Sequence, residues 1–314
     1  MTFDRAGGTY SEDASGNPPA IFIDVSYKSL IDSLKQRGFT DAQSGECGYL
    51  LQRVSYVHLS PYIRLAERCP TRDGPTVKMA HDVMTFDRRY QATLMKYIGI
   101  FEMQMRAQYS HHMRINSGDF PLYNPSLFLR SEMYSRTFNV FEREVVTRRR
   151  NRDARVTSAL STNGGMLPVE LATECMSLGC LMRFYANTKD RRVTGAVSNS
   201  FGTSKSNLIS WGKTITSVRN ICAHFEPYVT RAQIPSTPRR LQDTNADNNQ
   251  TFYIVLLLLS LLSSNAQFPD KALEYSFRMK LDIASEVNGF ALLYSHALQA
   301  MGIPGNWRQL IESA

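Results

Sequence analysis

The sequence predicts an all-α protein of roughly eight to ten helices. Three observations carry that reading. Apolar residues recur at spacings of three and four along most of the 314-residue chain. No run shows convincing strand alternation, and no repeat of 20–50 residues is evident. The most apolar stretch, Ile254-Val-Leu-Leu-Leu-Leu-Ser-Leu-Leu262, is 9 residues long, which suits a buried core helix and is about half of a bilayer span.

The elements follow in order. Residues 1–22, rich in Gly, Ser, Asp and Pro, read as a flexible N-terminal tail, and 23–314 as a single domain. From Val25 a helix places Leu30, Ile31 and Leu34 on one face and stops at Gly38. A second segment, 43–56, carries Tyr49, Leu50, Leu51 and Val54, and Pro61 interrupts what comes next. A long helix over 81–116 sets Val83, Phe86, Tyr90, Leu94, Tyr97, Ile98, Phe101 and Met105 in a core stripe. The two prolines of Gly118-Asp-Phe-Pro-Leu-Tyr-Asn-Pro-Ser126 end it. Helices follow at 131–150 and 168–189, with a loop at Asn163-Gly164-Gly165 between them, and then at 204–223. A long loop spans 227–250, punctuated by Pro227, Pro235 and Pro238. Three last helices fit 251–263, 268–287 and 289–301.

Composition limits the function. Hydrophobic residues are 43% and charged residues 20%, which excludes a predominantly disordered chain. The net charge is +8, built from 27 Arg and only 9 Lys. Arginine suits bidentate phosphate contacts and stacking on bases, although a GC-rich genome gives the same bias. Five cysteines (Cys47, Cys69, Cys175, Cys180, Cys222) form no CxxC pair and no zinc spacing, and read as reduced thiols. The opening Met1-Thr-Phe-Asp-Arg-Ala-Gly-Gly-Thr-Tyr10 has no apolar h-region. A soluble, cytoplasmic protein without a membrane partner is expected.

One segment stands out for chemistry, Ser217-Val-Arg-Asn-Ile-Cys-Ala-His-Phe-Glu226. Asn220 and His224 are four apart and share a helix face. Arg219 points about 100° away, but its side chain is long enough to bend over the same patch. Pro227 disfavours helix at Glu226, so His224 falls in the last turn, where the helix dipole favours a cation. The spacing of Arg219 and His224 recurs at Arg53/His58 and Arg106/His111, where chance gives about half a match. Spacing alone is therefore weak, and the first two pairs read as a surface Arg with a satisfied His.

The surroundings of the third pair separate it. The string Ser-Val-Arg-Asn-Ile-Cys-Ala-His resembles the Arg-Asn-x-x-x-His signature of HEPN-domain proteins, and in particular their Abi-like branch, named for abortive-infection defence in bacteria. The resemblance extends to Val25-Ser-Tyr-Lys-Ser-Leu-Ile-Asp-Ser-Leu-Lys-Gln-Arg-Gly38 as an opening helix and to Arg53-Val-Ser-Tyr-Val-His-Leu-Ser-Pro-Tyr62. It continues through Phe86-Asp-Arg-Arg89 to Phe101-Glu-Met-Gln-Met-Arg106, then Pro168-Val-Glu-Leu-Ala-Thr-Glu174 and Ser177-Leu-Gly-Cys-Leu181. Met301-Gly-Ile-Pro-Gly-Asn-Trp307 closes it. In all it covers roughly residues 24–310 in the family's order. It implies a HEPN-type helical bundle with additional helices, in which Arg219, Asn220 and His224 perform metal-independent RNA cleavage without a cofactor. It also implies a homodimer, because related proteins face two such motifs across one cleft and this chain has one. A small structured RNA is an implied antitoxin. Where many members place a second His or polar residue after the motif His, this chain has Phe225 and Glu226.

The residues support that chemistry on their own terms. Attack of a ribose 2′-OH on the adjacent phosphate needs a proton acceptor, a proton donor for the leaving oxygen, and charge stabilisation. His224 shuttles protons, Arg219 grips phosphate oxygens, and Asn220 orients either. No cluster with metal-ligand spacing is visible. Glu102 and Arg106, with His112 beyond them, read either as an exposed ion pair or as a polar face that lines the cleft and positions Arg219 or the RNA; His111 or His112 is a weaker candidate for a second acid/base. Six arginines fall within Arg143–Arg155. Of these Arg148, Arg149, Arg150 and Arg152 are the candidate path for an RNA backbone, against a solvated helix end. The sequence thus predicts an endoribonuclease toxin or antiphage effector. The alternatives are a non-cleaving protein that grips a small structured RNA through the same motif, or a helical interaction module.

Overall fold

The computed structural model describes residues 25–242, 244–264 and 269–314, so the tail expected over 1–22 lies outside the described residues. Among them there are thirteen α-helices, with short 3-10 turns and isolated bridges but no strand. The all-α class holds, and the count exceeds the eight to ten expected. Two compact units divide the chain, Met1–Thr85 and Phe86–Ala314.

The first unit holds α1 (Val25–Gln36), α2 (Gly45–Arg53), α3 (Tyr56–Arg68) and the start of α4 (Val77–Ser117). Helix α1 buries Ile31 and Leu34 and ends at Gly38, whose φ is +85°. There the Phe39 N–H bonds to the Leu34 carbonyl and the Gly38 N–H to that of Lys35, a Schellman end that needs a left-handed residue. Contrary to expectation, Pro61 does not interrupt α3. The Ser60 hydroxyl donates to the Val57 carbonyl at 3.2 Å, the group that an N–H at position 61 would have bonded. Asp41 caps α4 from a distance, accepting from the Val77 and Lys78 N–H groups at 2.7 and 2.8 Å.

In the second unit the stripe on α4 is buried as its spacing requires. Phe86, Leu94, Tyr97, Ile98, Phe101 and Met105 have no exposed surface, and the stripe continues through Tyr109. Gly118, at φ +83°, ends the helix, and the prolines that follow open two 3-10 turns. Helix α5 (Ser131–Arg150) matches its predicted bounds, and α10 (Lys205–Ala223) begins one residue late. Two helices went unpredicted between them. Asp153 caps α6 (Ala154–Thr162) and Asp190 caps α9 (Arg191–Ser200), each carboxylate accepting from the first turn.

The helix expected over 168–189 is two, α7 (Val169–Cys175) and α8 (Leu178–Asn187). Met176 is extended, and the Ser177 hydroxyl caps α8 by accepting from the Cys180 N–H. Helix α11 (Tyr253–Ser263) is buried on almost every side, as its nine-residue apolar run predicts. The helices expected at 268–287 and 289–301 are instead one, α12 (Pro269–Tyr294), which passes through Gly289. Ile283, Val287, Phe290 and Tyr294 stay in buried register across it, and that packing outweighs a glycine penalty of about 1 kcal/mol. Two 3-10 turns and α13 (Trp307–Ser313) finish the chain. No helix among the described residues is long and apolar enough to cross a membrane.

Candidate functional site

The motif sits on α10 and at its end. The buried residues Trp211, Ile215, Val218 and Cys222 define the inner face of this helix, which turns Asn220 outward and leaves Arg219 half-buried between the two faces. His224 is the C-cap and is exposed; its N–H still bonds to the Asn220 carbonyl at 3.0 Å. Helical geometry therefore persists to His224, and Asn220 and His224 share one solvent-facing side, as four-residue spacing requires. Cys222, inside the motif, is buried. Desolvation, with Asp87 nearby, pushes its thiol up to about 12, so it stays protonated and is no nucleophile.

Arg219 turns toward α4. Its Nε lies 3.9 Å from Glu102 Oε2, too far for a hydrogen bond, and this Nε is buried with no hydrogen-bond partner among the described residues. The other oxygen of Glu102 accepts from Arg106 Nη2. Glu102 is 8% exposed, so the exposed ion pair that the sequence allowed is instead a largely buried carboxylate shared by two guanidinium groups. A carboxylate so placed offsets part of the charge that two arginines would otherwise bring into a half-buried site.

The break between α7 and α8 fixes Arg106. Its Nε donates to the Thr173 carbonyl at 3.1 Å, which also accepts from the Met176 N–H, and its Nη2 donates to the Met176 carbonyl at 2.9 Å. On the same stretch the Ser177 N–H donates to Glu144 at 3.1 Å, and Arg148 Nη2 donates to the Glu174 carbonyl at 3.2 Å. Arg106 and Arg148 thus hold the carbonyls of adjacent residues, which ties the arginine-rich end of α5 to the cluster around Glu102. Of the four arginines singled out, Arg148 is committed to this contact. Arg149, Arg150 and Arg152 are exposed.

His112 does not join the cluster. It lies ten residues beyond Glu102 on the same helix, about 15 Å along the axis. Its imidazole packs edge-on against His111, with ring centres 5.0 Å apart. Burial and then the neighbouring His111 lower its pKa from the usual 6.5.

A second set of α4 residues, missed from sequence, holds the chain just past His224. Arg88 donates to the Phe225 carbonyl and lies over its ring, 5.5 Å from the centroid. Gln91 Nε2 donates to the Glu226 carbonyl at 3.0 Å. The buried Asp87 accepts from the Tyr228 and Val229 N–H groups at 2.9 and 3.3 Å. Phe225 itself is left-handed, at φ +54°, and 65% exposed. Its N–H bonds to the Cys222 carbonyl, and the Glu226 N–H to that of Ile221, the Schellman pattern again with an aromatic residue where glycine is usual. The only local signal was Pro227, which marks a stop but does not say what secures it.

Among the described residues no group of three or more His, Cys, Asp or Glu side chains converges on a point that could hold a metal ion. What the site offers is an exposed imidazole and amide on one helix face, a guanidinium at their flank, and a buried carboxylate and second guanidinium behind it. Such a set can transfer a proton and hold an anion. The family model of the Abi-like proteins matches residues 49–228, more than half of the chain, and the chain belongs to that family. The match is narrower than the 24–310 over which the sequence resembles the family, and it ends at Tyr228, the residue that Asp87 pins. No curated protein and no solved structure matches the chain.

Proposed function

We propose that this chain is a metal-independent endoribonuclease of the HEPN type, acting as an abortive-infection effector or toxin in the cytoplasm. The observation that carries the reading is His224 standing exposed beside Asn220 while Arg219 is backed by Glu102 and Arg106. In the reaction, the 2′-oxygen attacks the adjacent phosphorus as its proton passes to an imidazole. The bond from phosphorus to the 5′-oxygen breaks, and that oxygen takes up a proton. The products are a 2′,3′-cyclic phosphate and a 5′-hydroxyl. Arg219 stabilises the charge on the non-bridging oxygens, and Asn220 orients the phosphate or the imidazole. DNA, which lacks the 2′-OH, is not cut.

One chain brings a single imidazole to this cluster, whereas the reaction needs an acceptor and a donor. We therefore assign the second to another copy, in a homodimer with a composite site. The free arginines at the end of α5 carry the RNA backbone toward it, and a small structured RNA fits the same surface as an antitoxin.

The test is incubation of the purified protein with a labelled single-stranded RNA in excess EDTA, beside His224→Ala. Cleavage leaving cyclic phosphate ends, reduced about 10²–10⁴-fold in the variant, is expected. RNA that stays intact but bound, after co-purified nucleic acid has been stripped, overturns the nuclease and leaves a protein that only grips RNA.

A further inference from the structure

Beside the arginine-rich end of α5 lies a cleft that the cleavage reaction does not use. Helices α5 and α6 and the Gly164–Gly165 turn enclose a cavity of about 390 Å³, within the range that holds small ligands. Its lining combines the apolar Tyr123, Phe141, Val145 and Leu160, which we take as its floor, with Glu142 and Arg149.

The floor is set before any ligand arrives. The Tyr123 hydroxyl accepts from the Leu167 N–H at 2.9 Å, and its ring meets Phe138 and Phe141 edge-on. Gly164 and Gly165 are both left-handed, at φ +59° and +85°, and a Cβ built at either meets nothing within 4 Å. At Gly165, which lines the cleft, the turn therefore leaves open space where most residues would place a side chain. Glu142 and Arg149 are seven apart on α5, so they share a face and stand about 10 Å apart along the axis. Both are exposed and line the cleft. A hydrophobic slot with an acceptor-only carboxylate at one end and a guanidinium at the other matches a nucleotide in polarity and in length.

We propose that this cleft binds one guanine nucleotide. The base lies on the Tyr123–Phe141–Leu160 floor, its adjacent N1–H and N2–H donors face Glu142, and its phosphate meets Arg149. Guanine is chosen because an ionised carboxylate only accepts, and guanine alone among the common bases offers two neighbouring donors on one edge. Its source is an RNA strand whose backbone continues over Arg150 and Arg152, an assignment that rests on the RNA reading above; a free nucleotide shares the same chemistry.

The experiment uses the full chain carrying His224→Ala, so that RNA stays intact. Calorimetric titration compares a short single-stranded RNA containing one guanine with the same RNA carrying adenine there, and GMP with AMP. The guanine RNA binds at least about tenfold tighter. That preference disappears in Glu142→Gln, and also in Leu160→Trp, which fills the slot, with unchanged circular dichroism as the check on folding. A preference for GMP that the guanine RNA cannot displace supports the pocket and assigns it to a free nucleotide. Equal binding of the guanine and adenine ligands, or a preference that survives both substitutions, overturns the proposal. Cleavage by the wild-type protein is scored separately: cutting together with equal binding of the guanine and adenine ligands removes the pocket and keeps the nuclease, and a guanine preference in binding without cutting does the reverse.

Discussion

Helices α1 and α10 end with the same pair of backbone hydrogen bonds and opposite choices of residue. Helix α1 places Gly38 at the left-handed position, and α6 and α9 likewise use Gly164 and Gly202. Helix α10 uses Phe225, and α5 uses Arg152, at φ +59°. A side chain in that conformation costs about 1–2 kcal/mol that glycine avoids. The two exceptions are the end that carries His224 and the end that carries the free arginines. At α1 glycine makes the turn without that strain, although Arg37 beside it is also tied to Glu67 and Tyr56. At α10 the turn is held from outside, by Arg88 and Gln91 on the carbonyls of residues 225 and 226 and by Asp87 on the N–H groups of 228 and 229. Strain persists where the surroundings over-determine it, and here the surroundings fix the residue directly after the exposed imidazole.

Removing the outside support tests this contrast most severely. Asp87→Ala leaves two buried N–H groups without their carboxylate, and a loss of about 3 kcal/mol in urea unfolding is expected; Asp87→Asn, which keeps one acceptor, loses less. An unchanged midpoint in both would mean that the α10 end does not depend on Asp87.

The arginines at the other strained end act differently, through free charge. Replacing Arg149, Arg150 and Arg152 together by Gln lowers the dependence of log K on log salt by about 2 for a single strand, with little change in folding. A smaller charge effect on binding, with lost stability, would make the run structural.

The glycine exchange sharpens the comparison at smaller scale. Gly38→Ala is expected to cost about 1 kcal/mol. Phe225→Gly shifts stability by less than about 1 kcal/mol, because relief of strain is offset by loss of the Arg88 contact over the ring. If Phe225→Gly instead weakens the fold more than Gly38→Ala does, the aromatic residue is there for packing.

The smallest effect belongs to His112. Its folded pKa lies below the usual 6.5, so between the two values the unfolded chain binds the extra proton. Stability from this group is complete above pH 6.5 and is lost as the pH falls through the lowered folded value. His112→Gln flattens the stability profile in that acidic window and leaves it unchanged at pH 8.

Much of this molecule is legible as periodicity. The α4 stripe, both ends of α5 and the face of α10 follow from spacing, and the Arg219/Asn220/His224 segment from its setting. The breaks were harder to read. Nothing in Glu174-Cys-Met-Ser177 is a strong helix breaker, and only Ser177 hints at a new start, so α7 and α8 read as one helix. Asp153 and Asp190 are N-caps set among basic residues, where a short acidic cap is hard to tell from a charge pair. The sharing of Glu102 between Arg106 and Arg219 spans more than a hundred residues; the family-like segment at 101–106 points to such a face, but no local pattern encodes which oxygen serves which arginine.

The grip of Asp87 on Tyr228 and Val229 joins positions 141 and 142 residues apart. A chain is made from its N-terminus, and domains fold as units once enough of them has emerged. On the ribosome α4 is therefore complete while its partners around position 228 do not yet exist. The end of α10 has no anchor until the segment past Val229 has cleared the exit tunnel. The His224 site is thus withheld from the nascent chain by the order of synthesis itself, and the cleavage proposed for it would begin only after about the first three quarters of the chain has been made.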